Sequence, residues 1–130
     1  MASGPPRPPS LLRNPLSLAG LFVAARGACV NAVADPRAVN LLNVGCISAD
    51  GRSLAELVDT VEQARAQGGW AVLMIHGIGA DTHELHLDPE VHRQFIAWLA
   101  RQRSTLWTAP FREVAAYIKK RRRADDARAG

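Results

Sequence analysis

Cysteine is scarce in this sequence, with only Cys29 and Cys46 among 130 residues. Two cysteines cannot form the disulfide framework of a small secreted domain, and they cannot supply a four-ligand zinc site. The chain also has no Gly-x-Ser-x-Gly elbow, no Gly-x-Gly-x-x-Gly fingerprint and no phosphate-binding loop. These absences argue against a disulfide scaffold, a serine hydrolase of the elbow type and a nucleotide-dependent enzyme. Both cysteines are predicted to be small core residues.

A basic surface spread over the whole chain is also absent, although the formal net charge is +4. Residues 119–123 supply 5 of the 16 basic residues, which leaves 11 basic against 12 acidic residues elsewhere. We therefore expect no nucleic-acid partner. The basic cluster is predicted to finish a helix, since cations near a helix C-terminus complement its dipole.

No apolar run is long enough to span a bilayer, so no membrane span is expected. Residues 16–25 allow two interpretations, a secretory signal with cleavage near Ala28 or a buried strand over residues 21–25. Arg26 favours the strand, because small uncharged residues are expected around a cleavage site. The proline-rich residues 1–20 are predicted to form a disordered N-terminus.

Alternating helix and strand signals follow from residue 53 onward. Ser53 and Glu56 form a capping box before a helical apolar period, and two glycines at positions 68 and 69 end that helix. Asp88 and Pro89 are typical of a second helix start, and Thr108 is predicted to open a third. Strands are predicted at residues 21–25, 41–47, 70–75 and 105–107. This order predicts an α/β fold with parallel strands and flanking helices.

The sequence WAVLMIHGIG, residues 70–79, suggests where chemistry would occur. A continuous apolar run is typical of a parallel strand covered on both faces, and reactive groups in such folds lie at the strand ends. Gly77 and Gly79 would let the chain turn sharply after His76. His76 is therefore predicted to be a general acid or base, since imidazole can exchange a proton near neutral pH.

The other histidines carry weaker signals. His83 and His86 have a spacing compatible with a metal pair on one helical turn, although a solvated loop is the commoner context. His92 is predicted to lie on an exposed helix surface. Asp81 and Glu84, on the loop after His76, are candidates to orient its imidazole.

Three ordered blocks carry a family resemblance: WAVLMIHGIG, HELHLDPEVHRQFIAWLA and LWTAPFREVAAYI. Together they resemble the C-terminal part of bacterial polysaccharide deacetylases, the family that shares the NodB homology domain. FVAARG and the helix after Ser53 fit as well, so the resemblance covers residues 21–120. Residues 121–130 would then be a basic, polar tail.

The resemblance implies a partial, deformed (β/α) barrel that hydrolyses acetyl groups on a carbohydrate polymer or oligosaccharide. His76 matches the family's general acid, which protonates the departing amine. The complete family domain uses a divalent metal, commonly zinc. Trp107 corresponds to the family's Trp-x-x-x-Phe stretch, and among the three tryptophans it is the best candidate to line a sugar groove, although core packing is the commoner role.

Several family blocks have no counterpart in this chain. The paired aspartates, the histidine pair and the arginine-proline block are missing, and Arg26 stands in a different context. We therefore expect a truncated form that holds no metal by itself and that associates through exposed strand edges. The alternative is a non-catalytic remnant or interaction module of the same fold.

Overall fold

The computed structural model describes residues 22–130, which form an α/β arrangement around a three-stranded parallel sheet. The predicted N-terminal segment, residues 1–20, lies outside the described residues. The elements are β1 (Arg26–Cys29), β2 (Val44–Ser48), α1 (Leu54–Gln67), β3 (Leu73–Met74), α2 (Pro89–Arg101) and α3 (Phe111–Ala129). The sheet order is β1-β2-β3, and both pairings are parallel. The α/β prediction is confirmed, while the sheet of residues 22–130 is open and does not close into a barrel.

Strand β2 is the centre of this sheet and its most buried part. Val44 and Cys46 are fully buried, and Ile47 is 3% exposed. On the β3 side, the Ile47 N–H donates to Val72 O at 2.8 Å and the Ala49 N–H donates to Met74 O at 2.9 Å. A strand paired on both sides satisfies its backbone groups without water, which allows it to be buried.

Helix α1 forms where the capping signal predicted it. The Ser53 Oγ accepts from the Glu56 N–H at 3.2 Å, and the Glu56 carboxylate accepts from the Ser53 N–H at 2.9 Å. The helix ends at Gly68, whose φ of 60° is left-handed and is readily adopted by glycine. Helix α2 is capped by Asp88, whose Oδ1 accepts from the Glu90 and Val91 N–H groups.

The core joins these two helices to the sheet. Its buried members come from both helices, from the position after β2 and from the loop before α2, and they are Ala49, Leu57, Val61, Leu87 and Phe95. The apolar period predicted for α1 therefore faces the core. Within residues 22–130, no helix has both the length and the apolar character needed to cross a membrane.

Helix α3 packs on the N-terminal side of β3 and is longer than predicted. It begins at Phe111 rather than Thr108, and the Phe111 ring stacks on Trp70 with centroids 5.2 Å apart. It continues to Ala129, so the basic cluster lies inside the helix and not at its end. Arg122 has a structural role there, because its guanidinium donates to the carbonyls of Pro36 and Val39.

The predicted strand positions need correction. No strand occupies residues 105–107, where the Thr105 and Leu106 N–H groups instead donate to Gln102 O in a turn after α2. β1 begins at Arg26, after the predicted residues 21–25, of which residue 21 lies outside the described part. An apolar run indicates burial, but a strand begins only where a neighbouring strand offers hydrogen-bond partners.

The two inner strands are also shorter than predicted. β2 begins at Val44, because residues 41–43 form a turn. Within residues 70–75 only Leu73 and Met74 belong to the parallel pairing. Trp70 pairs instead with Ala34 in an isolated antiparallel bridge, closed by hydrogen bonds of 2.8 and 2.9 Å.

The capping box of α1 is expected to contribute measurably to stability. Ser53→Ala removes the acceptor for the Glu56 N–H, so the free energy of unfolding should fall by about 1 kcal/mol. Ser104→Ala, at an exposed turn, is the matched control and should change the stability by less than about 0.5 kcal/mol. Urea denaturation followed by circular dichroism measures both, and equal effects would contradict a stabilising cap.

Candidate functional site

The register of β2 and β3 places Asp50 beside His76. Ser48 pairs with Met74, and each of these residues is the last of its strand. Asp50 lies two positions after Ser48, and His76 lies two positions after Met74. Their side chains therefore emerge on the same face, at the carboxyl ends of neighbouring strands. His76 therefore lies at the strand end where the sequence predicted it.

Asp50 holds His76 through two hydrogen bonds. The Asp50 Oδ1 accepts from the His76 backbone N–H at 3.0 Å, and Oδ2 lies 2.6 Å from the ring Nδ1. A carboxylate only accepts, so Nδ1 carries the proton and Nε2 is the ring nitrogen left for another partner. The Asp50 side chain is 7% exposed, whereas the His76 side chain is 36% exposed. The pair thus has a buried anchor and an accessible ring.

The hydrogen bonds to Asp50 outweigh the effect of its burial. Burial is the largest single influence and opposes ionisation of this carboxyl group. The hydrogen bonds from the His76 ring and backbone favour the carboxylate, as do the charges of His76 and His83, and the pKa of Asp50 lies below its usual value. Asp50 is therefore an anion at neutral pH and can stabilise a positive charge on the His76 imidazole.

The loop after β3 folds back over this pair. The Gly79 N–H donates to Leu87 O at 2.9 Å, and the Leu87 N–H donates to Gly77 O at 2.8 Å. Gly79 has a φ of 95°, and a Cβ at Gly77 would lie 2.3 Å from the Thr82 Oγ1. Both glycines are thus needed for the turn, as predicted. The loop also carries a second imidazole to the site.

That second imidazole belongs to His83, which stacks on His76 with ring centroids 5.1 Å apart and planes 19° apart. The His83 Nδ1 lies 2.9 Å from the Leu85 backbone nitrogen and 3.0 Å from the Leu85 carbonyl oxygen, so the Leu85 backbone fixes the orientation of the ring in either tautomer. His83 covers one face of the His76 ring without reaching Asp50 by a hydrogen bond.

The predicted metal pair is not assembled. His83 and His86 lie in a loop rather than on a helical turn, and the His86 Nδ1 bonds to the carbonyls of His83 and Glu84 at 3.1 Å. Among residues 22–130, no three side chains of the His, Cys, Asp and Glu types are grouped to hold an ion. The donors that the structure describes do not fit the zinc centre that the family resemblance implies.

The structure does not bring Trp107 to His76. Trp107 lines a cavity with Gly69 and Trp70, on the side where the chain enters β3, and its ring meets Tyr117 edge to face at 5.3 Å. His76 lies beyond the opposite end of the same strand. Trp107 is 57% exposed, so it is a surface aromatic residue rather than a core residue.

Sequence reasoning missed the carboxylate that orients His76. Asp50 reads as a turn residue before α1, and it does form that turn, since the Arg52 N–H donates to Ala49 O at 3.2 Å. Asp81 and Glu84, the predicted partners of His76, are exposed loop residues. His92 is half-buried on α2 rather than exposed. The available signal for Asp50 was that it follows an apolar strand at the same offset as His76.

Comparison of the chain with protein-family models, with curated proteins and with solved structures found no match.

The Asp50 carboxylate should make stability depend on pH. Its pKa is lowered in the folded state, so its stabilisation is present at neutral pH and is lost as the pH falls through the folded-state pKa. Asp50→Asn should lower the free energy of unfolding by on the order of 1–2 kcal/mol near neutral pH and by much less near about pH 3.

Urea denaturation at the two pH values tests this expectation. Asp126→Asn, at an exposed position on α3, is the matched control and should stay within about 0.5 kcal/mol of the parent chain at both. A deficit in Asp50→Asn that is the same at both pH values would contradict a role for the ionised carboxylate.

Proposed function

We propose that the chain carries the general-acid part of a carbohydrate deacetylase, in which His76 donates a proton to the amine that leaves a hydrolysed N-acetyl group. The observation that carries the proposal is the Asp50–His76 hydrogen bond of 2.6 Å, with Nε2 as the free ring nitrogen. The resemblance of the sequence blocks supplies the substrate class, an acetylated carbohydrate polymer or oligosaccharide. The open sheet would then be part of a (β/α) barrel of the deacetylase type.

The roles follow from the geometry of the pair. When the C–N bond of an acetamide breaks, the departing nitrogen must take up a proton, and an imidazolium Nε2–H is a suitable donor. Asp50 fixes the ring orientation by holding Nδ1–H, and its negative charge stabilises the imidazolium before transfer. Asp50 is a positioning residue, because His76 lies between it and the reacting group.

The metal of the family has no place among the described residues. Its ligands would have to come from residues outside 22–130 or from another polypeptide. Association with such a polypeptide has a structural basis, since β1 and β3 each have one edge without a strand partner within residues 22–130. The deacetylase proposal therefore includes a partner that completes the site.

The alternative function is a non-catalytic interaction module of the same fold. It is favoured by the poor fit of the described side chains to a metal and by the exposure of large apolar residues away from His76. Trp107 and Tyr117 are 57% and 54% exposed and contact each other. Exposed aromatic side chains that pack together are a common feature of protein-protein contacts.

Acetate release from an N-acetylglucosamine oligosaccharide tests the proposal. The full chain is assayed with a divalent metal, alone and mixed with any polypeptide encoded immediately upstream. His76→Ala should lower turnover by about 10²–10⁴-fold, because proton donation to the amine is lost. Asp50→Asn should lower kcat and change the pH profile, while His92→Gln, which removes an imidazole from α2, is the matched control.

A second readout does not depend on turnover. A deacetylated glucosamine oligosaccharide, titrated into the full chain, should shift the NMR resonances of the His76 ring and leave those of His92 in place. Acetate release that disappears in His76→Ala supports the deacetylase. If there is no release and no shift of His76, the proposal fails and the interaction module stands.

A further inference from the structure

Three sulfur-bearing side chains meet across the sheet, one from each strand. Cys29 of β1 and Cys46 of β2 are register partners in the parallel pairing. The Cys46 Sγ lies 4.0 Å from the Met74 Sδ of β3. The sequence has only two cysteines and two methionines, so the cluster collects both thiols and one of the two thioethers. None of these sulfurs has a role in the Asp50–His76 pair.

We propose that Cys29, Cys46 and Met74 form a binding site for a thiophilic monovalent cation, Cu(I). Soft thiolate and thioether ligands select this ion over harder cations. In a trigonal site, metal–sulfur bonds of about 2.3 Å place the sulfurs about 4 Å apart. The separation of 4.0 Å between Cys46 and Met74 already has that value. The site therefore needs little rearrangement around its two inner ligands.

The charges of the two thiolates, the Cu(I) ion and the Arg26 guanidinium sum to zero. Cu(I) replaces the protons of the two thiols, forming two copper–thiolate bonds and releasing two protons, while the Met74 thioether coordinates as a neutral ligand. The complex carries one net negative charge. The Arg26 guanidinium, which donates to the Cys46 Sγ at 3.1 Å and the Met74 Sδ at 3.7 Å, supplies the compensating positive charge. No oxidation or reduction takes place.

Metal uptake depends on pH, because copper displaces the protons of two thiols. Binding should therefore weaken as the pH falls. The ion would enter from the side of Cys29, which is half-buried, because Cys46 is fully buried.

The site is not suited to zinc. Structural zinc sites are tetrahedral with four nitrogen, thiolate or carboxylate ligands, and no third residue of these kinds joins the two cysteines within residues 22–130. A thioether is a soft, neutral third ligand that fits Cu(I) instead. Competition with Zn²⁺ therefore tests whether the site prefers Cu(I).

Anaerobic titration of the reduced full chain with Cu(I), supplied as its acetonitrile complex, tests the proposal. We expect one equivalent to be held against the colorimetric chelator bicinchoninate, with loss of both titratable thiols. X-ray absorption should show three sulfur neighbours for the bound ion. An excess of Zn²⁺ should not displace the copper. A chain that yields all its copper to the chelator overturns the proposal.

Variants separate the three-sulfur site from other sources of binding. Cys46→Ser and Cys29→Ser should each abolish the 1:1 complex. Because Cys29 is half-buried and Cys46 is buried, Cys29→Ser should disturb the fold less than Cys46→Ser. Met74→Leu keeps the volume and should weaken binding by about tenfold or more, with one sulfur fewer in the absorption spectrum. Ser48→Ala, at the β2 residue that pairs with Met74, is the matched control. Unchanged affinity and coordination in Met74→Leu would overturn the three-sulfur site.

Discussion

The parallel register between β2 and β3 is the constraint on which the other features depend. Pairing Ser48 with Met74 brings Asp50 next to His76, and it brings Cys46 next to Met74 on the same face. A slip of one residue would turn the side chains of the displaced strand to the opposite face of the sheet and would separate both pairs. The Asp50–His76 pair and the Cys46–Met74 contact therefore depend on one short pairing of backbone strands, and Cys29 joins them through the pairing of β1 with β2.

The pairing is short, and other contacts maintain it. Helix α1 connects β2 to β3 and is held at its start by the Ser53 capping box. Its buried residues Leu57 and Val61 pack with Phe95 of α2, so the two helices cover the sheet face opposite the site. The loop after β3 closes back through Gly77 and Gly79. The site thus lies between the carboxyl ends of the two strands and the loop that covers it.

The pair of Asp50 and His76 combines two environments that suit proton transfer. The carboxylate is buried and held by hydrogen bonds, which keeps it ionised and fixed in position. The imidazole is accessible at its outer nitrogen, where a reacting group could approach. This arrangement suits a general acid whose ring orientation is fixed by a carboxylate on the side away from the reacting group.

The sequence by itself determined the local elements: the start of α1 at Ser53, the start of α2 at Asp88 and the position of His76 after an apolar strand. These follow from contacts between residues a few positions apart, such as caps and turns. Only the tertiary structure decided which strands pair, where β1 begins and that residues 105–107 form a turn. It also placed Asp50 beside His76 and Trp107 away from it. Partners separated by 26 residues meet through strand register, and local propensity does not specify register.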